Sequence, residues 1–127
     1  MPLSENSPIG DADRVVVSKA AVRAAERLKI PDEVLARVLG IRVASLVCVR
    51  AGDLDLVSQG AIRNAILVVR IYQRLAAIFQ GDESAAASWF NSDNTALGAR
   101  PIDIIQSSCG LAQVTDHLET HYAGVIH

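Results

Sequence analysis

An all-α fold is predicted by three observations. The 127-residue chain is half apolar, yet only 4% aromatic, so its core must be built from Ala, Val, Leu and Ile in long regular elements. Prolines fall only at positions 2, 8, 31 and 101, which leaves residues 32 to 100 without the strongest helix breaker. Segment after segment also repeats its apolar residues at the three-and-four spacing of a helix face. The length suits one domain, or two small subdomains sharing a core, and the apolar content argues against disorder and repeat arrays.

Residues 1–12, with Pro2, Pro8 and Gly10, lack periodicity and are expected to form a flexible tail. From Asp13 to Leu28, Val17, Ala20, Ala21, Ala24, Ala25 and Leu28 fall at helical spacing, with Arg23, Glu26 and Arg27 elsewhere around the helix. Pro31 is read at the first position of a second, short helix, where Asp32 and Glu33 suit the dipole and Val34, Leu35, Val38 and Leu39 form a stripe ending at Gly40. Ile41 to Arg50 is Val-rich and would also suit a strand, but its spacing from Gly40 favours a third helix.

Residues 54 to 79 form the longest periodic stretch. Leu54, Val57, Ala61, Ile62, Ala65, Ile66, Val69, Tyr72, Leu75, Ala76 and Phe79 make one broad stripe, and Leu67, Val68, Ile71 and Ile78 widen it. Gln59, Arg63, Arg70 and Arg74 leave a narrow polar edge, so this helix should be buried from several sides and is expected to mediate self-association. After Gly81, Asp82 and Glu83 start a fifth helix through Phe90; Asn91 to Gly98 is a turn-rich connector. Pro101 to Ser107 reads as a sixth helix and Leu111 to Tyr122 as a seventh, ended by Gly124.

The net charge of −2 hides an asymmetry: residues 14–50 carry eight bases against three acids, whereas residues 51–127 carry four against eight. Residues 1–13 lack the basic start of a secretory signal, and the longest run free of Asp, Glu, Lys and Arg is only 104–115. A soluble, cytoplasmic protein without membrane contact is expected. Cys48 and Cys109 match neither a disulfide framework nor a zinc knuckle, and are expected to be reduced, small and mostly buried.

The segment Leu35-Ala36-Arg37-Val38-Leu39-Gly40-Ile41, with Leu46 and Val49 beyond it, has helix-turn-helix spacing. Ala36 must be small where the next helix crosses, Gly40 can adopt a left-handed turn, and the aliphatic residues fill the corner. An ordinary helix corner satisfies the same pattern. Outward residues of the third element would be Arg42, Val43, Ala44, Val47 and Cys48, a face too apolar for reading base edges. Lys19, Arg37, Arg42, Ser45 and Arg50 are the candidate DNA contacts, chiefly to phosphates, so weak or partner-assisted operator binding is expected.

Enzyme motifs are missing: there is no glycine-rich phosphate loop, nucleophile elbow or carboxylate motif. His117 and His121 are four apart, but the intervening Glu119 is misplaced for a zinc-protease helix; two surface histidines near a helix C-terminus are expected instead. Asp53/Asp55 and Asp82/Glu83 read as helix-starting or solvated acids. No enzyme activity, cofactor or metal is expected.

The densest cluster runs from Ala87 to Ile105 and holds the only Trp. As structure alone, Trp89 and Phe90 anchor a small core, Asn91 and Asn94 bond their own turn, Gly98 admits a positive φ and Pro101 starts a helix. The order Trp89-Phe90, Asn94-Thr95-Ala96-Leu97-Gly98, Arg100-Pro101, Ile104-Ile105 and Gly110 resembles the core motif of the Xre/MbcA/ParS antitoxins. Arg70 to Leu75, Leu118, Gly124 and the helix-turn-helix upstream also fit, while Ala99 stands where that motif has a second glycine.

The resemblance implies an Xre-like helix-turn-helix subdomain over 13–53, joined by the long helix to a helical toxin-binding domain over 54–127. It further implies a cognate RES-domain toxin that consumes NAD or transfers ADP-ribose, obstructed by the antitoxin's C-terminal helix and tail, with a homodimer or a larger hetero-oligomer as the assembly. The implied toxin-binding residues are Trp89, Asn94, Leu97, Gly98, Arg100 and Pro101 on the platform. His117, His121, Tyr122, Gly124, Val125, Ile126 and His127 complete the set on the helix and tail. The alternative reading is a helix-turn-helix repressor whose C-terminal part only dimerises.

Overall fold

In the computed structural model, residues 11–53, 56 and 58–121 are described, Asp11, Ala12, Ser108 and His121 by backbone alone. These residues form seven helices and no strand: α1 (Asp11–Arg27), α2 (Asp32–Leu39), α3 (Val43–Ala51), α4 (Gln59–Ile78), α5 (Glu83–Asn91), α6 (Pro101–Ile104) and α7 (Ser108–His121). The expected Leu54 and Val57, and the tail residues Tyr122, Gly124, Val125, Ile126 and His127, lie outside the described residues. Among the described residues no helix is long and apolar enough to cross a membrane.

α4 is the spine. Ser58 caps it by accepting the Ala61 N–H at 3.0 Å. Its buried residues are Ala61, Ile62, Ala65, Val68, Ile71 and Leu75, so Val68 and Ile71, expected at the margin of the stripe, are central to it. α1, α2, α5 and α7 all pack against α4. Among the described residues the exposed large apolar side chains are Val16, Val43 and Val47, none on α4, while Ile66, Leu67, Val69, Tyr72 and Ile78 of α4 are half-buried. One apolar core runs from Ala21 on α1 to Leu118 on α7.

Local chemistry sets the ends. α1 closes with Lys29 at φ 59 and the Ile30 N–H on the Ala25 carbonyl at 2.9 Å. Pro31 lies one position earlier than expected, as the extended N-cap of α2. α2 ends as the sequence predicts, with Gly40 at φ 73 and the Ile41 N–H on the Ala36 carbonyl at 3.0 Å. Leu35, Ala36, Leu39, Leu46 and Val49 are buried in the corner between α2 and α3. Asp82 caps α5, accepting the Ala85 N–H at 3.0 Å. α6 is shorter than expected because Ser107 leaves it to cap α7, its Oγ accepting the Gly110 N–H at 3.0 Å. Gly110 therefore lies inside α7, where a Cβ would fall 1.8 Å from the Ile104 carbonyl oxygen.

Both cysteines depart from expectation: Cys48 and Cys109 are exposed. Cys48 lies between Val47, which faces out, and Val49, which fills the corner, and the helical turn carries it to the outer side.

Candidate functional site

The loop between α5 and α6 is built around Asn94. Its side-chain Oδ1 accepts the Leu97 N–H at 3.1 Å, and its backbone carbonyl accepts the Gly98 N–H at 2.8 Å. Its own N–H donates to the Ala99 carbonyl at 3.2 Å, closing a one-bridge loop. Gly98 takes φ +87 inside it, a conformation that side chains resist. Asn91 bonds its own last helical turn, its Nδ2 donating to the Ala87 carbonyl at 2.8 Å, and the same group also donates to the Leu28 carbonyl at 3.1 Å, tying the end of α5 to the end of α1.

Arg100 follows the loop as the N-cap of α6, with Pro101 buried behind it at the first helical position. Its guanidinium holds Asp103 in a fork, Nε–Oδ2 at 2.9 Å and an Nη at 3.1 Å from Oδ1. That hydrogen bond and the charge of Asp103 raise the Arg100 pKa above its ordinary value, so the group stays charged throughout the physiological range. Trp89, Asn94 and Leu97 are half-buried, while Gly98 and Arg100 are exposed. Trp89, Asn94, Phe79, Ser88 and Asp93 border a shallow open groove of about 370 Å³.

His117 corrects the sequence reading. It is 8% exposed, not at the surface, and its ring stacks on Trp89 with centroids 6.5 Å apart and planes 19° from parallel. The reason is its place on α7: Val114, Thr115 and Leu118 around it face the core, so the polar ring follows them in. This contact joins the only Trp to the last described helix. A second anchor is the fork of Arg70 on Glu119, at 3.0 Å from Nε and 2.6 Å from an Nη, with Arg74 Nε 3.8 Å from the same carboxylate. With Arg70 exposed and Glu119 half-buried, such a pair adds on the order of 1 kcal/mol. Of His121 only the backbone is described, at the end of α7.

The candidate DNA contacts are less united. Lys19 is exposed on α1 and Arg42 at the N-cap of α3, while Ser45 is half-buried. Arg50 is engaged by both Glu26 and Asp32, and Arg37 donates to the Gln106 side chain. The basic N-terminal half thus spends part of its charge on internal partners. Arg27 does likewise with Glu83, whose hydrogen bond and charge raise the Arg27 pKa, and Tyr72 donates to the same carboxylate at 3.2 Å.

Sequence reasoning missed Ser18. It is buried on α1, its hydroxyl donating to the Arg14 carbonyl at 2.7 Å and accepting the Leu56 N–H at 3.0 Å. Asn64 was missed too: its Nδ2 donates to the Val38 carbonyl at 2.9 Å and so joins α4 to α2. Their signal was only that of a polar residue inside an apolar period.

Fold and site together describe an all-α protein in which a loop held by its own hydrogen bonds sits on a helical platform. Residues 74–124 match the family model described as the antitoxin Xre/MbcA/ParS C-terminal toxin-binding domain. The matched stretch begins in the last turns of α4, contains the Asn94 loop, α5, α6 and α7, and runs past His121. No curated protein matches the chain.

Proposed function

We propose that this chain is an antitoxin that binds and neutralises a RES-domain toxin, an enzyme consuming NAD or transferring ADP-ribose. The match of residues 74–124 to a toxin-binding domain carries the reading. In it, α7 and the tail through Tyr122, Gly124, Val125, Ile126 and His127 obstruct the toxin's active-site opening. Trp89, Asn94, Leu97, Gly98, Arg100 and Pro101 hold the platform behind them. The anchoring of α7 supports this division of labour: Leu111, Val114 and Leu118 are buried and Arg70 grips Glu119, so the tail leaves from a fixed base. A preorganised base lowers the ordering cost of docking. The chain itself performs no chemistry in this account, and it acts in the cytoplasm.

The Gly40 corner between α2 and α3 favours a second role in repressing the operon. The apolar outer side of α3 restricts that role to weak, salt-sensitive contact, assisted by the toxin complex and drawing on Lys19, Arg37, Arg42, Ser45 and Arg50.

Truncation tests the mechanism. Deleting residues 124–127 should leave helicity and melting temperature nearly unchanged, yet restore toxicity in cells that co-express the adjacent toxin gene. Full protection by the truncated chain would remove the tail from the mechanism. If the full-length chain does not co-purify with that toxin, the antitoxin reading itself falls.

A further inference from the structure

The groove beside Trp89 has an apolar lining from Phe79, Ala85 and Trp89 and a polar border from Ser88, Ser92, Asp93 and Asn94. Phe79, Ala85 and Trp89 are each only half-buried, so both rings keep apolar surface available to a further side chain. Trp89 stacks one face on His117 of α7 and borders the groove as well.

The course of α7 delivers residues 122–127 to this place. Arg37 on α2 reaches Gln106, just ahead of α7, and Asn64, in the first half of α4, bonds the Val38 carbonyl of the same α2. Towards the other end of α7, Glu119 lies on Arg70 and Arg74, in the second half of α4. The two helices therefore run in the same direction, and α7 reaches His121 on the side where α4 reaches Ile78 and Phe79. His117, one turn before His121, already has its ring centroid 6.5 Å from that of Trp89. Residues 122–127 span up to about 20 Å when extended, enough to pass the end of α4 and reach Phe79. Their chemistry suits the lining: Tyr122, Val125 and Ile126 are apolar or aromatic, Gly124 permits a turn, and no acid is present to meet Asp93.

We propose that residues 122–127 turn over the end of α4 and dock in the Phe79–Trp89 groove of the same molecule, with Val125 and Ile126 against the two rings. A tethered segment acts at an effective concentration on the order of millimolar, so a contact too weak to hold a free peptide still closes in most molecules. Because the groove is shallow and open, the docked segment adds little to overall stability, and a deeper pocket on a partner displaces it. The docking is a property of the chain alone. Its consequence, that a toxin must first draw this segment out, rests on the toxin-binding reading; the apparent affinity is then reduced by the fraction of molecules that are open.

Trp89, the only Trp, reports on the groove directly. Deleting residues 122–127 from the purified full chain should raise the acrylamide quenching constant of Trp89 about twofold and shift its emission to longer wavelength, as the closed fraction set by tethering is lost. Val125→Asp combined with Ile126→Asp should do the same at full length with unchanged helicity, since a charge does not stay against an apolar lining. In the wild type, nuclear Overhauser contacts should join the Trp89 indole protons to the Val125 or Ile126 methyl groups, and Ser88→Arg, which fills the groove, should abolish them. Quenching indifferent to the truncation or to the Asp pair would overturn the proposal, as would wild-type spectra without these contacts or contacts that survive Ser88→Arg. Contacts that grow with protein concentration would also overturn it, by placing the segment in a second copy. An empty groove leaves the toxin-binding reading standing, whereas failure to co-purify with the toxin removes that reading and leaves the docking untouched.

Discussion

Gly110 shows how much one absent methyl group decides. It lies two residues inside α7, where a Cβ would stand 1.8 Å from the Ile104 carbonyl oxygen and 2.8 Å from the Ser107 hydroxyl. The constraint is closeness, not backbone conformation, in contrast to Gly98, whose φ of +87 is the reason for glycine although space around it is open. Gly110→Ala must push the α6–α7 turn apart, and this should cost about 2–3 kcal/mol by overpacking. Thermal unfolding followed by circular dichroism should show a melting temperature lower by on the order of 10 °C. An unchanged melting temperature would mean that the turn yields freely.

Among the elements, α1 ends on a residue poorly suited to its place. Lys29 holds φ 59, a left-handed conformation that costs about 1 kcal/mol for a residue with a Cβ. It is kept there because the Ile30 N–H closes on the Ala25 carbonyl and Ile30 is buried beneath the turn. Lys29→Gly removes the steric cost but frees the unfolded chain, so a net gain of about 0.5 kcal/mol is expected, read as a small rise in melting temperature. α5 and α4 start on side-chain caps, Asp82 and Ser58, and Asp82→Ala should lower stability by about 1 kcal/mol in urea titration.

At the scale of the molecule, the two charge-biased halves are stitched together. Arg27 reaches Glu83, Arg37 reaches Gln106, and Asn91 bonds the Leu28 carbonyl. With the core continuous from α1 to α7, the chain should unfold in one step. The single Trp makes this measurable: Trp89 reports on the C-terminal half, whereas far-ultraviolet circular dichroism reports on every helix. Coincident urea transitions by the two probes are expected. Separated midpoints would show that α1 to α3 form an independent folding unit.

The all-α class, the corner at Gly40, the start of α5 at Asp82 and Glu83 and the turn ending at Gly98 were legible in the sequence, because spacing, breakers and caps act within one helical turn of chain; the Ser58 cap was not, since the periodic stretch was read from residue 54. The motif around Trp89 was legible for the same reason. Only the tertiary structure decided which side of each helix is covered. α4 was expected to be buried from several sides, but only the fold shows that α1, α2, α5 and α7 are the covers; Cys48 and Cys109 are small enough for a core yet face outward. His117 is polar enough for the surface yet stacks on Trp89, and Ser18 and Asn91 bridge residues 38 and 63 positions away. Burial is set by the neighbouring element, and no local pattern records which neighbour arrives.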